Sequence, residues 1–338
     1  MYAKEKSLMK LFKRFRQSLS RYGIVIIMVV FIIGFTCASP KFFTFSNIIN
    51  ILRQVSPVGI AAVGMAMVII TGGIDMTAGS VVALVSVLSA LLMTEYNLPV
   101  IVVIPIGLLL GFFVGLINGL AVTKLNIPSF IFTLAMMSGI RGVCYIITGG
   151  MPIFGFTKDF DFLGKGYLLS IPIPVIIMLV TFTIGWIVIN KTRFGRYIYA
   201  IGGNVEATRL SGVKVHKNLV LTFAICGTLA ALSGLIILSR LSSGQPSAGE
   251  DFAFDVVTAV VLGGISVTGG EGRFSGIFFG VIILGILSNG LTLLNVYDYF
   301  QMVIKCVVLI AAVGFDQYTK MNKKVDLVDI NKMSKEMN

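Results

Sequence analysis

The chain of 338 residues is dominated by long apolar runs separated by short polar segments. Ten of the runs approach the length that crosses an apolar bilayer core, which takes about 20 helical residues. They lie at 22–38, 56–71, 77–94, 99–122, 128–147, 171–190, 219–238, 252–265, 274–293 and 300–317. The pattern predicts an all-α, polytopic integral membrane protein with about ten transmembrane helices and with both termini on the same side.

Composition and charge agree with this prediction and set the orientation. A mean hydropathy of +0.95, with 56% hydrophobic and 12% charged residues, excludes an ordinary soluble domain. Of the 27 Lys and Arg residues, 20 fall in the tails, at Lys124, in the 191–217 loop and at Arg273. Because basic residues concentrate on the cytoplasmic side, these segments and both termini are predicted to be cytoplasmic.

Three regions follow from that reading. Residues 1–21 form a basic cytoplasmic tail, 22–317 the transmembrane domain, and 318–338 a cytoplasmic C-terminal tail. A secretory signal peptide is the alternative for the first segment, but its basic region is long and the apolar run 22–38 approaches span length. We therefore expect the tail to lie on anionic membrane lipid.

Two apolar segments are too short to cross a membrane and end at similar glycine motifs. Val58–Ile70 and Val256–Leu262 are each followed by Gly-Gly-Ile-x-x-Thr-x-Gly. Short, glycine-broken segments in both halves of a transporter indicate discontinuous helices and a translocation path. The predicted path residues are Gly72, Gly73, Asp75, Thr77, Ser80, Gly263, Gly264, Ser266 and Thr268. Two structural alternatives stay open: the glycines serve close packing, and Asp75 only caps a helix that begins at Met76.

Glycine also recurs along the fourth apolar run. Gly107, Gly111, Gly115 and Gly119 are four residues apart and share one helix face. Such a face lets the backbone of a neighbouring helix approach closely. The spacing predicts a packing seam, not a binding site.

A polar, basic island interrupts the apolar pattern at 191–217. Asn204 is placed to cap a short helix over Val205–Leu210, after a turn at Gly202-Gly203, and Gly212 is placed to end it in the left-handed conformation. The spacing predicts a short amphipathic helix on the cytoplasmic face. A plain connector between two spans is the alternative.

The amino-acid sequences of three segments resemble those of the permease subunits of bacterial ABC sugar importers of the ribose type. The first corresponds to the family run Arg-x-x-x-Ala-x-Gly-x-Asn-x-x-Ala-x-x-x-Gly and stands here as Arg196, Ala200, Gly202, Asn204, Ala207 and Ser211-Gly212, with Thr208 where a second Ala is expected. The others are Gly72–Ser80 and Leu262–Gly272. By this resemblance the 191–217 loop docks on a separate ATPase subunit. The implied coupling residues are Arg196, Gly202, Gly203, Asn204, Glu206, Ala207, Arg209, Ser211 and Gly212.

The resemblance also implies partners and a function. It implies a multi-pass protein of the bacterial cytoplasmic membrane that moves a sugar, ribose or a related monosaccharide. Its partners would be an ABC ATPase subunit, an extracytoplasmic solute-binding protein and a second permease chain, as homodimer or heterodimer. The alternative is an ATP-independent secondary carrier or facilitator for a small polar solute.

The residues predict no enzyme activity for the chain itself. It has no phosphate-binding loop of the Gly-x-x-x-x-Gly-Lys-Ser/Thr type, no cluster with metal-ligand spacing, and one histidine, His216. We therefore expect no catalytic residue, metal or cofactor, with ATP bound by the partner subunit. The net charge is +12, but its basic residues lie at predicted membrane boundaries. The charge is therefore explained without a nucleic-acid partner.

Overall fold

The computed structural model describes residues 24–314, and within them the chain is mostly helical. The helices are α1 Ile24–Ala38, α2 Phe45–Ile70, α3 Ala78–Thr94, α4 Val100–Lys124, α5 Ser129–Thr148, α6 Asp161–Lys165, α7 Ile173–Lys191, α8 Arg193–Gly203, α9 Val205–Leu210, α10 Val215–Leu241, α11 Phe252–Leu262, α12 Phe274–Leu293 and α13 298–314. A two-residue antiparallel pair, β1 Tyr167–Leu168 and β2 Ile171–Pro172, precedes α7. The predicted tails, 1–21 and 318–338, lie outside the described residues.

Each of the ten predicted apolar runs coincides with one helix, namely α1 to α5, α7 and α10 to α13. Six of these helices, α2, α4, α5, α7, α10 and α12, are long and apolar enough to cross a membrane. Helices α1, α3 and α11 are apolar but shorter. The all-α membrane architecture is thus confirmed, while the number of ten spans stays a prediction.

The expectation that the first glycine-broken segment is too short to cross a membrane is wrong. Helix α2 does not begin near Val58 but runs for 26 residues over Phe45–Ile70. Its first half carries polar side chains that lower its hydropathy, yet they find partners in the fold. The guanidinium group of Arg53, for example, lies 4.8 Å from the centre of the Tyr167 ring. Gly72 therefore follows a full-length helix, and of the two segments only α11, with 11 residues, is short.

The segment between α5 and α7 folds against the C-terminal end of α10. Phe160 is fully buried there. The Ser239 hydroxyl donates to the Phe160 carbonyl at 2.6 Å and accepts from the Gly164 N–H at 2.7 Å. Helix α9 precedes the other end of α10, and 27 helical residues span about 40 Å. The segment between α5 and α7 and helix α9 thus lie at opposite ends of the same long helix.

Helix α10 is the centre of the bundle, and its packing depends on glycine. A Cβ atom on Gly111 would overlap the Gly227 carbonyl oxygen, and one on Gly115 would overlap the Phe223 carbonyl oxygen. The backbones of α4 and α10 are therefore in direct contact, without an intervening layer of side chains. The packing seam predicted from the four-residue glycine spacing is confirmed.

Two basic residues that lie within apolar helices both have partners. Arg141 of α5 donates from Nη1 to the carbonyl oxygens of Pro246 and Ala248, at 2.6 and 2.7 Å. Lys305 of α13 forms an ion pair of 3.0 Å with Asp255 of α11. A charge at membrane depth is costly unless it is paired or faces water, and these contacts lower that cost.

The seam between α4 and α10 predicts a difference between two glycine-to-alanine variants. Gly115→Ala places a methyl group against backbone atoms and should destabilise the chain by about 1–3 kcal/mol. Gly142→Ala on α5 is the control, since a Cβ there meets nothing within 4 Å. Thermal unfolding of both variants in the same detergent measures the effect, and equal midpoints would contradict direct backbone contact.

Candidate functional site

The polar island folds into two successive helices, α8 and α9. The hydroxyl of Thr192 accepts from the Gly195 N–H at 3.3 Å and caps α8. The Asn204 side chain accepts from the Ala207 N–H at 2.9 Å and caps α9, and Gly212 follows α9 with a φ of +80°. The short helix and both of its ends are confirmed.

One detail of the island differs from the prediction. Gly202 and Gly203 do not form a turn but complete the last turn of α8, which runs over Arg193–Gly203. The apolar positions of α8 explain the difference, because Ile198 and Ile201 lie on one face and are fully buried. This face holds α8 against the bundle and continues it up to Asn204.

The predicted coupling residues form a mostly exposed surface. Arg196, Gly203, Asn204, Glu206, Ala207, Arg209, Ser211 and Gly212 are exposed, and Gly202 is half-buried. Glu206 and Arg209 form an ion pair of 2.7 Å at the surface, which contributes little to stability because water screens it. Two large apolar side chains are also exposed on α9, Val205 and Leu210, the latter by 84%.

Helix α8 contacts the chain at both glycine motifs in one place, which we term the junction and define by Ile70, Gly72, Gly202, Gly269 and Gly270. The Gly270 N–H donates to the Ile70 carbonyl oxygen at 2.8 Å. A Cβ atom on Gly202 would overlap both of these atoms, and one on Gly269 would lie 2.7 Å from the Gly72 nitrogen. The backbone after α2, the backbone after α11 and the end of α8 therefore meet without side chains between them.

Tyr199 adds a side-chain bond between α8 and the second motif. Its hydroxyl donates to the Gly272 carbonyl oxygen at 2.9 Å. Burial raises the pKa of the Tyr199 phenol above its ordinary value, so the hydroxyl keeps its proton at neutral pH and remains a donor.

Both glycine motifs end their helices with the same backbone device, a Schellman cap. After α2, the Gly72 and Gly73 N–H groups donate to Ile69 and Val68 at 2.9 and 3.1 Å. After α11, the Gly264 and Ile265 N–H groups donate to Val261 and Val260 at 2.8 and 3.3 Å; the left-handed residues are Gly72 and Gly264, with φ of +84° and +85°. The equivalent residues are Gly72 and Gly264, whereas the sequence motif aligns Gly72 with Gly263. The two caps are thus offset by one residue from the sequence similarity.

The polar residues of the first motif are bonded inside the chain. The Asp75 carboxylate accepts from the N–H and hydroxyl of Thr77, at 2.9 and 2.5 Å, and from Asn118 Nδ2 of α4 at 3.3 Å. Asp75, Thr77 and Ser80 are all buried. Since helix α3 begins at Ala78 with Thr77 as its N-cap, Asp75 supports the turn before the helix and is not its N-cap.

The second motif forms a tight turn with a more open surface. The Ser266 N–H donates to the Glu271 carbonyl at 3.1 Å, and the Ser266 and Thr268 hydroxyls are 2.9 Å apart. Gly264 and Thr268 are exposed, whereas Gly263 and Ser266 are buried. The assignment of both motifs to a translocation path stays a prediction.

Sequence reasoning missed most of the junction. Ile70 and Gly269 were not named as site residues because the first ends an apolar run and the second lies in a motif where other positions carry hydroxyl groups. The second half of the Leu262–Gly272 motif, with its additional glycines, was the available signal for a close backbone contact. Tyr199 had no signal in its local pattern.

Because the buried Asp75 carboxylate accepts a hydrogen bond from Asn118, we expect loss of the Asn118 side chain to destabilise the protein. Asn118→Ala removes a donor to Asp75 and to the Thr77 hydroxyl, so the variant should lose about 1–3 kcal/mol of stability. Asn190→Ala on α7 is the control, because Asn190 is exposed and bonds only its own helix, at the Trp186 carbonyl. Thermal unfolding should separate the two variants, and an unchanged midpoint for Asn118→Ala would contradict the role of the network.

Comparisons with known proteins agree with the sequence motifs. A family model described as "Branched-chain amino acid transport system / permease component" matches residues 47–313. The ribose import permease protein RbsC of Haemophilus influenzae is 45% identical over 297 residues, which cover 87% of this chain and 92% of that protein. RbsC of Bacillus subtilis is 43% identical over 301 residues, 88% and 93% of the two chains. The galactose/methyl galactoside import permease protein MglC of Escherichia coli K12 is 34% identical over 330 residues, 92% and 98%.

No solved structure matches the chain. The family model nevertheless spans nearly all described residues, and it includes α8, α9 and both glycine motifs. The extent of these matches confirms the resemblance first seen in the three motifs. The chain belongs to the permease family of the branched-chain amino acid transport type, in which its ribose-type sugar permease relatives also lie.

Proposed function

We propose that this chain is the membrane-spanning subunit of an ABC importer that carries ribose or a related monosaccharide into the cell. The supporting relatives are ribose import permeases that match over nearly their whole length. ATP hydrolysis would take place in a separate subunit. The permease would need no cofactor of its own, because it supplies motion and a path and leaves the chemistry to its partner.

The observation that carries this proposal is the junction. A surface loop that only connected α7 to α10 would not need backbone contact with two other segments. Here the end of α8 touches the backbone after α2 and after α11, and Tyr199 bonds to Gly272. A displacement of α8 and α9 by a partner would therefore be transmitted directly to the ends of two bundle helices.

The exposed surface of α9 suits an ATPase partner. Val205 and Leu210 present apolar area beside the charged pair Glu206–Arg209. Large apolar side chains flanked by charge are typical of a docking surface. The solute-binding protein would approach the opposite end of the bundle, where α6 and the β1–β2 hairpin lie.

Helix α5 offers a surface for a second permease chain and a solute path. Cβ atoms on Gly139 and Gly142 would meet nothing within 4 Å. Arg141 lies between them and uses one terminal nitrogen for its two carbonyl partners. We place the water-filled path between two copies at this face, where water would solvate the rest of this half-exposed guanidinium group at membrane depth. The path residues of the two glycine motifs would then act at its inner end, beside the junction.

Uptake measurements test the transport function. Proteoliposomes that contain this chain with its ATPase subunit, and with solute-binding protein outside, should accumulate labelled ribose only when ATP is present inside. Omission of ATP, or of either partner, should abolish uptake. Uptake by the chain alone along a solute or ion gradient would contradict the proposal and favour a secondary carrier.

Variants at two adjacent glycines, Gly202 and Gly203, distinguish coupling to the bundle from docking of the ATPase subunit. Gly202→Ala places a methyl group where Ile70 and Gly270 meet and should lower ATP-dependent uptake about tenfold or more, because the methyl group has to push the end of α8 away from both segments. Gly203→Ala is the matched control, since a Cβ there meets nothing within 4 Å. Both variants should still bind the ATPase subunit in pull-down experiments. Equal uptake by the two variants would contradict coupling through the junction.

A further inference from the structure

We infer that a groove between α4 and α10 is a binding site for an anionic phospholipid. The groove has a volume of about 740 Å³ and is lined mainly by apolar side chains of α4 and α10, with Lys124, His216 and Lys217 at one end. One end of it is apolar and the other is basic. This proposal needs the chain to lie in a membrane and is independent of the transported solute.

The apolar part has the shape and length of an acyl-chain site. Phe112, Leu116 and Leu120 follow each other at four-residue intervals along one flank of α4. The glycine seam beside them draws α10 close, so that Leu221 and Val220 form the opposite wall. From Phe112 to Lys124 the helix rises by about 18 Å, roughly half of a bilayer core of about 30 Å. The groove therefore spans one leaflet.

The basic part lies where the headgroup of that leaflet would be. Lys124 ends α4, and His216 and Lys217 are in the first turn of α10, on the same side of the bundle as α9. All three are exposed, and no acidic residue lines the groove. Within residues 24–314 none of the three forms an ion pair.

The backbone adds to this positive potential. The first turn of α10 has no side-chain cap, and uncapped N–H groups at a helix start attract anions. Thr123 and Asn126 contribute polar groups next to Lys124. A phosphate-bearing headgroup between the two helix ends would contact the basic and polar groups. The acyl chain of the same lipid would fill the apolar part of the groove. A neutral lipid would leave the lysines without a counter-charge.

Native mass spectrometry of the full-length chain, titrated with phosphatidylglycerol and with phosphatidylcholine, tests the headgroup. The wild-type chain should retain one phosphatidylglycerol per chain in preference to phosphatidylcholine. The double variant K124Q/K217Q should weaken phosphatidylglycerol binding roughly 10- to 30-fold, since each lysine near an anionic headgroup contributes a factor of about three to five. K191Q/K214Q is the control: it removes the same charge from the same side but from outside the groove.

The apolar half needs its own pair of variants. Leu116→Trp fills the groove and should lower phospholipid retention, whereas Ile117→Trp adds the same volume on the exposed face of α4 that does not line the groove. Glycerol phosphate, which has the headgroup charge without chains, should not displace the lipid. Displacement by glycerol phosphate would indicate a free-phosphate site and overturn the proposal.

Three other results would also overturn it. The first is equal retention of the two lipids by the wild-type chain. The second is equal weakening by K124Q/K217Q and K191Q/K214Q, which would indicate a diffuse surface potential. The third is a loss of dimer with K124Q/K217Q at unchanged lipid count, which would assign the groove to contact between two copies. Labelled ribose uptake is a separate readout, so failure of the transport proposal would leave these outcomes unaffected.

Discussion

The contact between the Ile70 carbonyl, the Gly270 N–H and Gly202 is possible only because three chain segments meet without side chains. A single Cβ atom at Gly202 would overlap both hydrogen-bonded atoms. Unpaired backbone groups are costly in an apolar environment, so the bond of 2.8 Å also satisfies the Ile70 carbonyl at the end of α2 and the Gly270 N–H in the irregular segment between α11 and α12. The end of helix α2, the backbone contact at the junction and the position of the α8–α9 surface thus depend on the same few atoms.

Much of the fold was predictable from the sequence because the length of an apolar run strongly indicates a membrane helix. All ten apolar runs became helices, and the caps at Asn204 and Gly212 followed from residue types with well-defined local preferences. The start of α2 was missed because Arg53 and its polar neighbours lower the hydropathy, and the stacking of Arg53 on Tyr167 is a contact between residues more than a hundred positions apart. Hydropathy does not report such contacts.

The site was less predictable than the fold. The motif similarity identified the right stretches, but it aligned Gly72 with Gly263, whereas the backbone makes Gly264 the equivalent residue. A Schellman cap is defined by where its helix ends, and the end of α11 is set by tertiary packing that a local motif does not contain. The polar residues of the first motif also turned inward, because Asn118 of α4, 43 positions away, supplies the donor that holds Asp75.

The glycine seams constrain how the bundle moves. Helices α4 and α10 interlock through Gly111, Gly115 and Gly227, and α11 and α12 interlock in the same way, since Cβ atoms on Gly276 and Gly280 would overlap the carbonyls of Gly263 and Ala259. Backbones that touch cannot slide past one another without a clash, so each pair behaves as a stiff unit. Any rearrangement of these four helices would therefore move each pair as a unit, and the irregular chain between α10 and α11, which joins the two pairs, is the place for a hinge between them.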